Sequence, residues 1–240
     1  MVGLFNGERN YKMANYTFYN KWTTPIFISN HERYHLIKDK LIQECNKEWD
    51  ENQGKNSGVA TTIKGRLYES PIFNTLEKSK NNSALKEVER FVISQMRLCL
   101  YDFFSSGHYP DDSHNQKFQD LKQEEVNVDP YESWVHISEG QGSWHGMHHH
   151  PNTSWGAIYY VDIADSSTDN GGLNGFKQPF LTTYNEDGNF FQHQGDMFFP
   201  PMDNGGLVLF PANLMHNASP YYGDKKRIVI AANIRIRIGV

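Results

Sequence analysis

The residues best suited to chemistry lie in one run, Trp144-His-Gly-Met-His148-His149-His150-Pro151. On an extended strand, residues 148 and 150 project from one face and 149 from the other, so His148 and His150 can share one ion. Two imidazoles alone bind a divalent metal weakly and leave its geometry undefined, so a third ligand is expected from elsewhere. The best candidate is His216, which follows the apolar run Leu207-Val-Leu-Phe210-Pro211 and precedes Pro220. A strand ending in Phe-Pro, followed shortly by a lone histidine, places that imidazole at a strand boundary where it can point inward. Arg227 opens the next apolar run, and alternation puts Arg227, Val229, Ala231 and Asn233 on one face. An arginine turned inward among apolar neighbours needs a carboxylate partner. The plain alternatives are an accidental surface patch for residues 148–150 and, for Arg227, a solvated charge run with Lys225 and Lys226. His149 falls on the opposite face, as a structural or supporting residue. His31, His35, His108, His114 and His193 receive no role, because an isolated histidine more often finds a hydrogen-bond partner than a metal.

Strands must position these groups, and from Ser133 onward the texture supplies them. Short β-rich runs at 134–137, 157–163, 190–199, 207–210 and 228–238 alternate with turn clusters, which predicts an antiparallel sandwich or small barrel. Upstream, Ile37, Leu41, Cys45 and Trp49 recur every four residues, so 32–49 reads as a helix. Ser83 offers an N-cap to a second helix, whose stripe is Leu85, Val88, Val92, Met96, Cys99 and Phe103. These helices are expected to brace the sheet from outside. Residues 16–28 read as an early strand, 50–58 as a loop and 108–129 as a hydrophilic surface excursion. Asn170-Gly-Gly-Leu173 and 188–194 read as turns or a lid, with Trp144, Trp155 and Tyr159 as candidate walls of a substrate pocket. The whole is expected to be one domain over residues 1–240, with the N-terminal strand and bracing helices at about 16–105 and the motif-bearing core at about 133–240.

Composition narrows the class. Aromatic residues make up 14% of the chain, which suits strands packed face to face better than a helical bundle. A formal net charge of −5, mixed in sign, gives no nucleic-acid signature and no polybasic membrane patch. Cys45 and Cys99, both in helical segments, argue against a disulfide framework or a cysteine zinc site. Neither a secretory leader nor an apolar run of roughly 18 residues is evident. A cytoplasmic protein acting on a small molecule or peptide is therefore expected, while nothing fixes its oligomeric state.

Taken in order, His148, His150-Pro151, Trp155, Tyr159-Tyr160-Val161, Gly206, Leu209-Phe210-Pro211, His216, Pro220, Arg227 and Asn233 resemble the iron(II)- and 2-oxoglutarate-dependent oxygenases. The nearest pattern is a branch carrying His-X-His-Pro, and Ile158-Tyr-Tyr-Val-Asp162 is similar to a prolyl-hydroxylase strand whose second tyrosine binds 2-oxoglutarate. The resemblance implies a mainly β fold, a double-stranded β-helix of jelly-roll or cupin type. It implies that His148 and His216 bind Fe(II), with His150 in the place of the usual Asp or Glu, and that Arg227 and Tyr160 grip the distal carboxylate of 2-oxoglutarate. Asn233, on the face of Arg227, is expected to help line that pocket. Three ligands would leave three positions on the iron for 2-oxoglutarate and dioxygen. The implied reaction hydroxylates an unidentified substrate and releases succinate and carbon dioxide.

Two departures matter. A neutral His150 leaves the site one unit more positive than a carboxylate would, unless His150 does not bind and water or halide takes its position. Many relatives also carry serine two residues after the arginine, where this chain has Val229. Rival readings are a three-histidine dioxygenase or hydratase that ignores 2-oxoglutarate, and a jelly-roll domain that binds without turnover. The first does not need a buried cation beyond the last ligand, and the second would bind metal without consuming 2-oxoglutarate.

Overall fold

Side-chain alternation divides the long strands of this chain between two interiors. The computed structural model describes residues 24–51, 62–64, 66–69, 73, 83–105, 125–177 and 197–238. The expectations for residues 16–23, 52–58, 108–124 and 188–196 lie outside the described residues, as do His108, His114 and His193.

Six strands form the larger sheet: β1 (Phe27–Asn30), β3 (Arg66–Glu69), β4 (Val126–Ser138), β6 (Trp155–Asp162), β9 (Gly206–Pro211) and β11 (Arg227–Ile238), ordered β1-β9-β6-β11-β4-β3. Five form the smaller sheet: β2 (Thr62–Lys64), β5 (Ser143–His148), β7 (Asn174–Lys177), β8 (Met197–Phe198) and β10 (Met215–Tyr221), ordered β2-β5-β10-β7-β8. The described pairings are all antiparallel, and the arrangement is a double-stranded β-helix.

On one face of the larger sheet, Val135, Ile137, Tyr159, Val161, Ile228 and Ile230 are buried against two helices, α1 (Tyr34–Glu51) and α2 (Ala84–Ser105). Leu41 and Cys45 of α1, with Val88, Val92, Met96 and Leu100 of α2, supply the other half of this core. The periodicity expected for both helices is the periodicity of burial. Ser83 caps α2, its Oγ accepting from the Lys86 N–H at 3.1 Å, while the Glu44 carboxylate of α1 accepts from the Ala84 and Leu85 amides at 3.2 and 2.9 Å. An anion on otherwise orphaned first-turn amides locks the two helices together.

The opposite face presents Ile158, Tyr160, Val208, Phe210 and Val229, and it closes on Phe176 and Leu214 from the smaller sheet side. The strand β4 starts at Val126, inside the segment expected to be a surface excursion up to residue 129. Val126 and Val128 are buried and Asn127 is exposed, a short alternation that the surrounding acidic residues mask in the sequence. No helix among the described residues is long and apolar enough to cross a membrane.

Candidate metal and co-substrate site

The strands β5 and β10 pair so that His148 stands directly opposite His216. His150 lies just past the end of β5 rather than on it, and its backbone N–H is fixed by the Ala212 carbonyl at 2.9 Å. One donor atom from each of the three lies within 4.8 Å of the others. His149 is exposed and turned away.

Each imidazole is oriented by an oxygen on its Nδ1. His148 Nδ1 donates to the Gly146 carbonyl at 2.7 Å, and His216 Nδ1 to the Leu214 carbonyl at 2.9 Å. His150 Nδ1 donates to Asn233 Oδ1 at 2.5 Å, and Asn233 Nδ2 donates in turn to the Glu132 carboxylate at 2.7 Å. Carbonyl and amide oxygens only accept, so each ring carries its proton on Nδ1 and presents a bare lone pair on Nε2. The Nε2 atoms of His150 and His216 face each other at 3.1 Å. Two lone pairs cannot bond at that distance, yet it suits two nitrogens on adjacent positions of one ion with bonds of roughly 2.1 Å. Stacking fixes the rings further: Trp134 lies 5.7 Å from His150 at 13° between planes, and Phe210 and Phe176 flank His216 at 4.5 and 5.8 Å. Burial and the neighbouring imidazoles hold His216 well below the ordinary histidine pKa, and burial chiefly brings His150 to about 4. The rings are thus held neutral, the form a metal requires.

Deeper in the same interior sits Arg227, with 0% exposure. Lys225 and Lys226 before it are exposed and pair with Asp165 and Glu139 at 3.0 and 3.1 Å, so the charge run ends where the strand turns inward. Asn174 Oδ1 accepts from Arg227 Nη2 at 2.5 Å, but among the described residues Nε and Nη1 of the guanidinium have no hydrogen-bond partner. The hydroxyl of Tyr160, equally buried, also has no partner among them. Arg227 and Tyr160 act on one another electrostatically, and burial pushes the Tyr160 hydroxyl pKa up and the Arg227 pKa down. A buried cation and a buried donor without an anion mark a place for a carboxylate. The residues therefore fit both groups that the sequence resemblance implies, a metal on three Nε2 atoms and a dicarboxylic oxo-acid reaching Arg227.

The placement of Asn233 differs from expectation. It does share the face of Arg227, but six residues along a strand is about 20 Å, and there it holds His150 instead. Trp155 and Tyr159 also look elsewhere. Trp155 stacks on Phe27 at 5.5 Å, and Tyr159 shares a 2.9 Å hydrogen bond with His31 under the helices. Neighbouring strands explain the rest of what sequence reasoning missed. Glu132, His136, His145 and Asn174 all serve or adjoin the site; for His136 the signal was present, because a lone histidine between Val135 and Ile137 must face away from their apolar core.

Residues 132–233 match the family model described as "Putative 2OG-Fe(II) oxygenase". Among curated protein sequences none matches this one. Among solved structures, a Pseudomonas putida prolyl-4-hydroxylase is 14% identical, with a TM-score of 0.54 over 90% of this chain and 94% of its own. A Trichoplax adhaerens prolyl hydroxylase in complex with a hypoxia inducible factor peptide fragment is 13% identical, with a TM-score of 0.57 over 89% and 84%. Those likenesses establish the fold, and the match to the family model over residues 132–233 spans all three histidines, Tyr160, Arg227 and Asn233.

Proposed function

We propose that His148, His150 and His216 hold iron(II), that Arg227 and Tyr160 bind the distal carboxylate of 2-oxoglutarate, and that the protein hydroxylates a small molecule or peptide. The cofactors of the family are Fe(II), 2-oxoglutarate and dioxygen. Bound there, they supply oxidative decarboxylation to succinate and carbon dioxide, coupled to oxidation of a C–H bond.

The observation that carries this reading is the pairing of two unsatisfied sets: converging Nε2 lone pairs, and a buried guanidinium whose Nε and Nη1 have no partner among the described residues. A three-histidine hydratase would explain the first set alone. The chain's own contribution is positioning: Gly146, Leu214 and Asn233 fix the imidazole protons, while Asn174 fixes the guanidinium. His148 and His150 are only partly buried, which leaves one side of the site open to substrate. Peptide substrates are supported by the peptide complex of the Trichoplax prolyl hydroxylase, and small ones by the partial openness alone.

Purified protein with iron(II) should convert 2-oxoglutarate to succinate slowly without added substrate. His216→Ala should abolish the conversion, and Arg227→Ala should raise the 2-oxoglutarate requirement by about a hundredfold, the scale expected when one partner of a buried charge pair is removed. An unchanged requirement in Arg227→Ala would remove the co-substrate assignment.

A further inference from the structure

Resting on that reading, we infer that His136 is a third donor to the distal carboxylate of 2-oxoglutarate, supplying from the neighbouring strand what Val229 lacks.

Val229 pairs with Tyr160 on one side and with His136 on the other, so the three side chains form one row across the inner face of the larger sheet. Arg227 stands two residues before Val229, on the same face. A serine at position 229 would place a hydroxyl beside the guanidinium; valine offers only methyl groups. His136 is 3% exposed, and among the described residues its Nε2 has no hydrogen-bond partner. With Arg227 Nε and Nη1 and the Tyr160 hydroxyl, that makes four buried polar atoms without partners among the described residues, all contributed by three adjacent strands. Side chains directly across an antiparallel pair have Cβ atoms about 5 Å apart, within reach of a ring as long as imidazole.

Ring contacts also connect His136 to the three histidines. Its ring meets His145 edge-on at 5.7 Å, and His145 stacks on His148 at 4.1 Å. Both Arg227 and His148 act on it electrostatically. A co-substrate chelated by the three histidines and anchored at Arg227 would end beside the row that His136 shares with Val229 and Tyr160. An Nε2–H there would complete a set of donors around a carboxylate, whose two oxygens accept about four hydrogen bonds.

Calorimetric titration of zinc-loaded protein, where no turnover occurs, tests the idea. His136→Leu should weaken 2-oxoglutarate binding by about ten- to a hundredfold, the loss expected for one hydrogen bond to a charged group. Oxalate, which chelates the metal but has no distal carboxylate, should bind as before. His136→Gln, which keeps a donor, and Val229→Ser in the His136→Leu background should each recover part of the loss. Equal 2-oxoglutarate affinity in wild type and His136→Leu, or a parallel loss of oxalate binding, overturns the role of His136. If zinc-loaded wild type binds no 2-oxoglutarate at all, the underlying functional reading fails instead. Should His136→Leu not fold, the His136 ring-proton resonance of wild type decides: a downfield shift on adding 2-oxoglutarate supports the contact, and an unmoved resonance sinks it.

Discussion

With His150 as a proposed ligand, a neutral imidazole in place of a carboxylate changes what must hold the ligand in place. A carboxylate has two equivalent oxygens, whereas imidazole binds a metal only through a bare nitrogen, so His150 depends on whatever keeps its proton on Nδ1. Glu132 does this through Asn233. Its carboxylate can only accept, so the amide must turn Nδ2 toward it and Oδ1 toward His150. In Glu132→Gln the side-chain amide could donate to Asn233 Oδ1, and the reversed Asn233 would then favour a proton on Nε2 of His150. Metal affinity should fall by roughly tenfold or more, the usual scale for loss of such a supporting contact. Metal titration of the purified variant checks this, and an affinity equal to wild type would show that Asn233 is oriented by something else. Glu132 is exposed, so the substitution should leave the core undisturbed.

At the scale of elements, the smaller sheet carries the proposed metal ligands His148 and His216, and the larger sheet packs against it through aromatic side chains. Gly156 of β6 shows how close that packing is: a Cβ there would lie 2.4 Å from the Phe210 ring, which in turn sits 4.5 Å from His216. Gly156→Ala should therefore push Phe210 into His216, destabilising the fold by about 1–3 kcal/mol and weakening metal binding with it. Denaturant unfolding with parallel metal titration would check both, and a stability loss with intact metal affinity would mean Phe210 relaxes the other way. The same division explains what the sequence disclosed. The helices and the strands β4, β6, β9 and β11 were legible because Leu41, Val92, Tyr159 and Ile230 bury one face against an apolar partner. The strands β5, β7 and β10 were not, since Ser143-Trp-His-Gly-Met-His148, Asn174-Gly-Phe-Lys177 and Met215-His-Asn-Ala-Ser-Pro-Tyr221 have the glycine and polar content of turns. Their inward residues face a functional interior, so function erased the alternation that would reveal them. His148 and His216 stood out as candidate ligands by type, but their register needed the pairing of β5 with β10.

Over the whole molecule, buried histidines make the fold sensitive to acid. Away from the site, burial lowers the His31 pKa, Glu87 opposes this and Arg33 adds to it; the ring stacks on Phe91 at 4.4 Å and bonds Tyr159. With the folded pKa below the unfolded value of about 6.5, the unfolded chain takes up the proton first, so stability is full above that pH and falls as pH drops below it. His31→Gln should reduce the difference in denaturant stability between about pH 7.5 and 5.5 by one histidine's share, and an undiminished slope would place the acid sensitivity in the other buried histidines. Metal acts in the opposite sense. An ion on His148, His150 and His216 ties β5, β10 and the segment after β5 into one unit, and Asn233 extends the link to β11 of the larger sheet. Binding only to the folded form, metal at a hundred times its dissociation constant contributes about 2.7 kcal/mol. For a chain of this size that corresponds to a rise of about 5–11 °C in melting temperature. The rise should vanish in His216→Ala and grow further when 2-oxoglutarate is added to metal-loaded protein. It should not grow when 2-oxoglutarate is added without metal, because Arg227 then holds only one end of a ligand whose other end remains in water. A metal-independent rise of equal size would mean that the oxo-acid binds away from the three histidines.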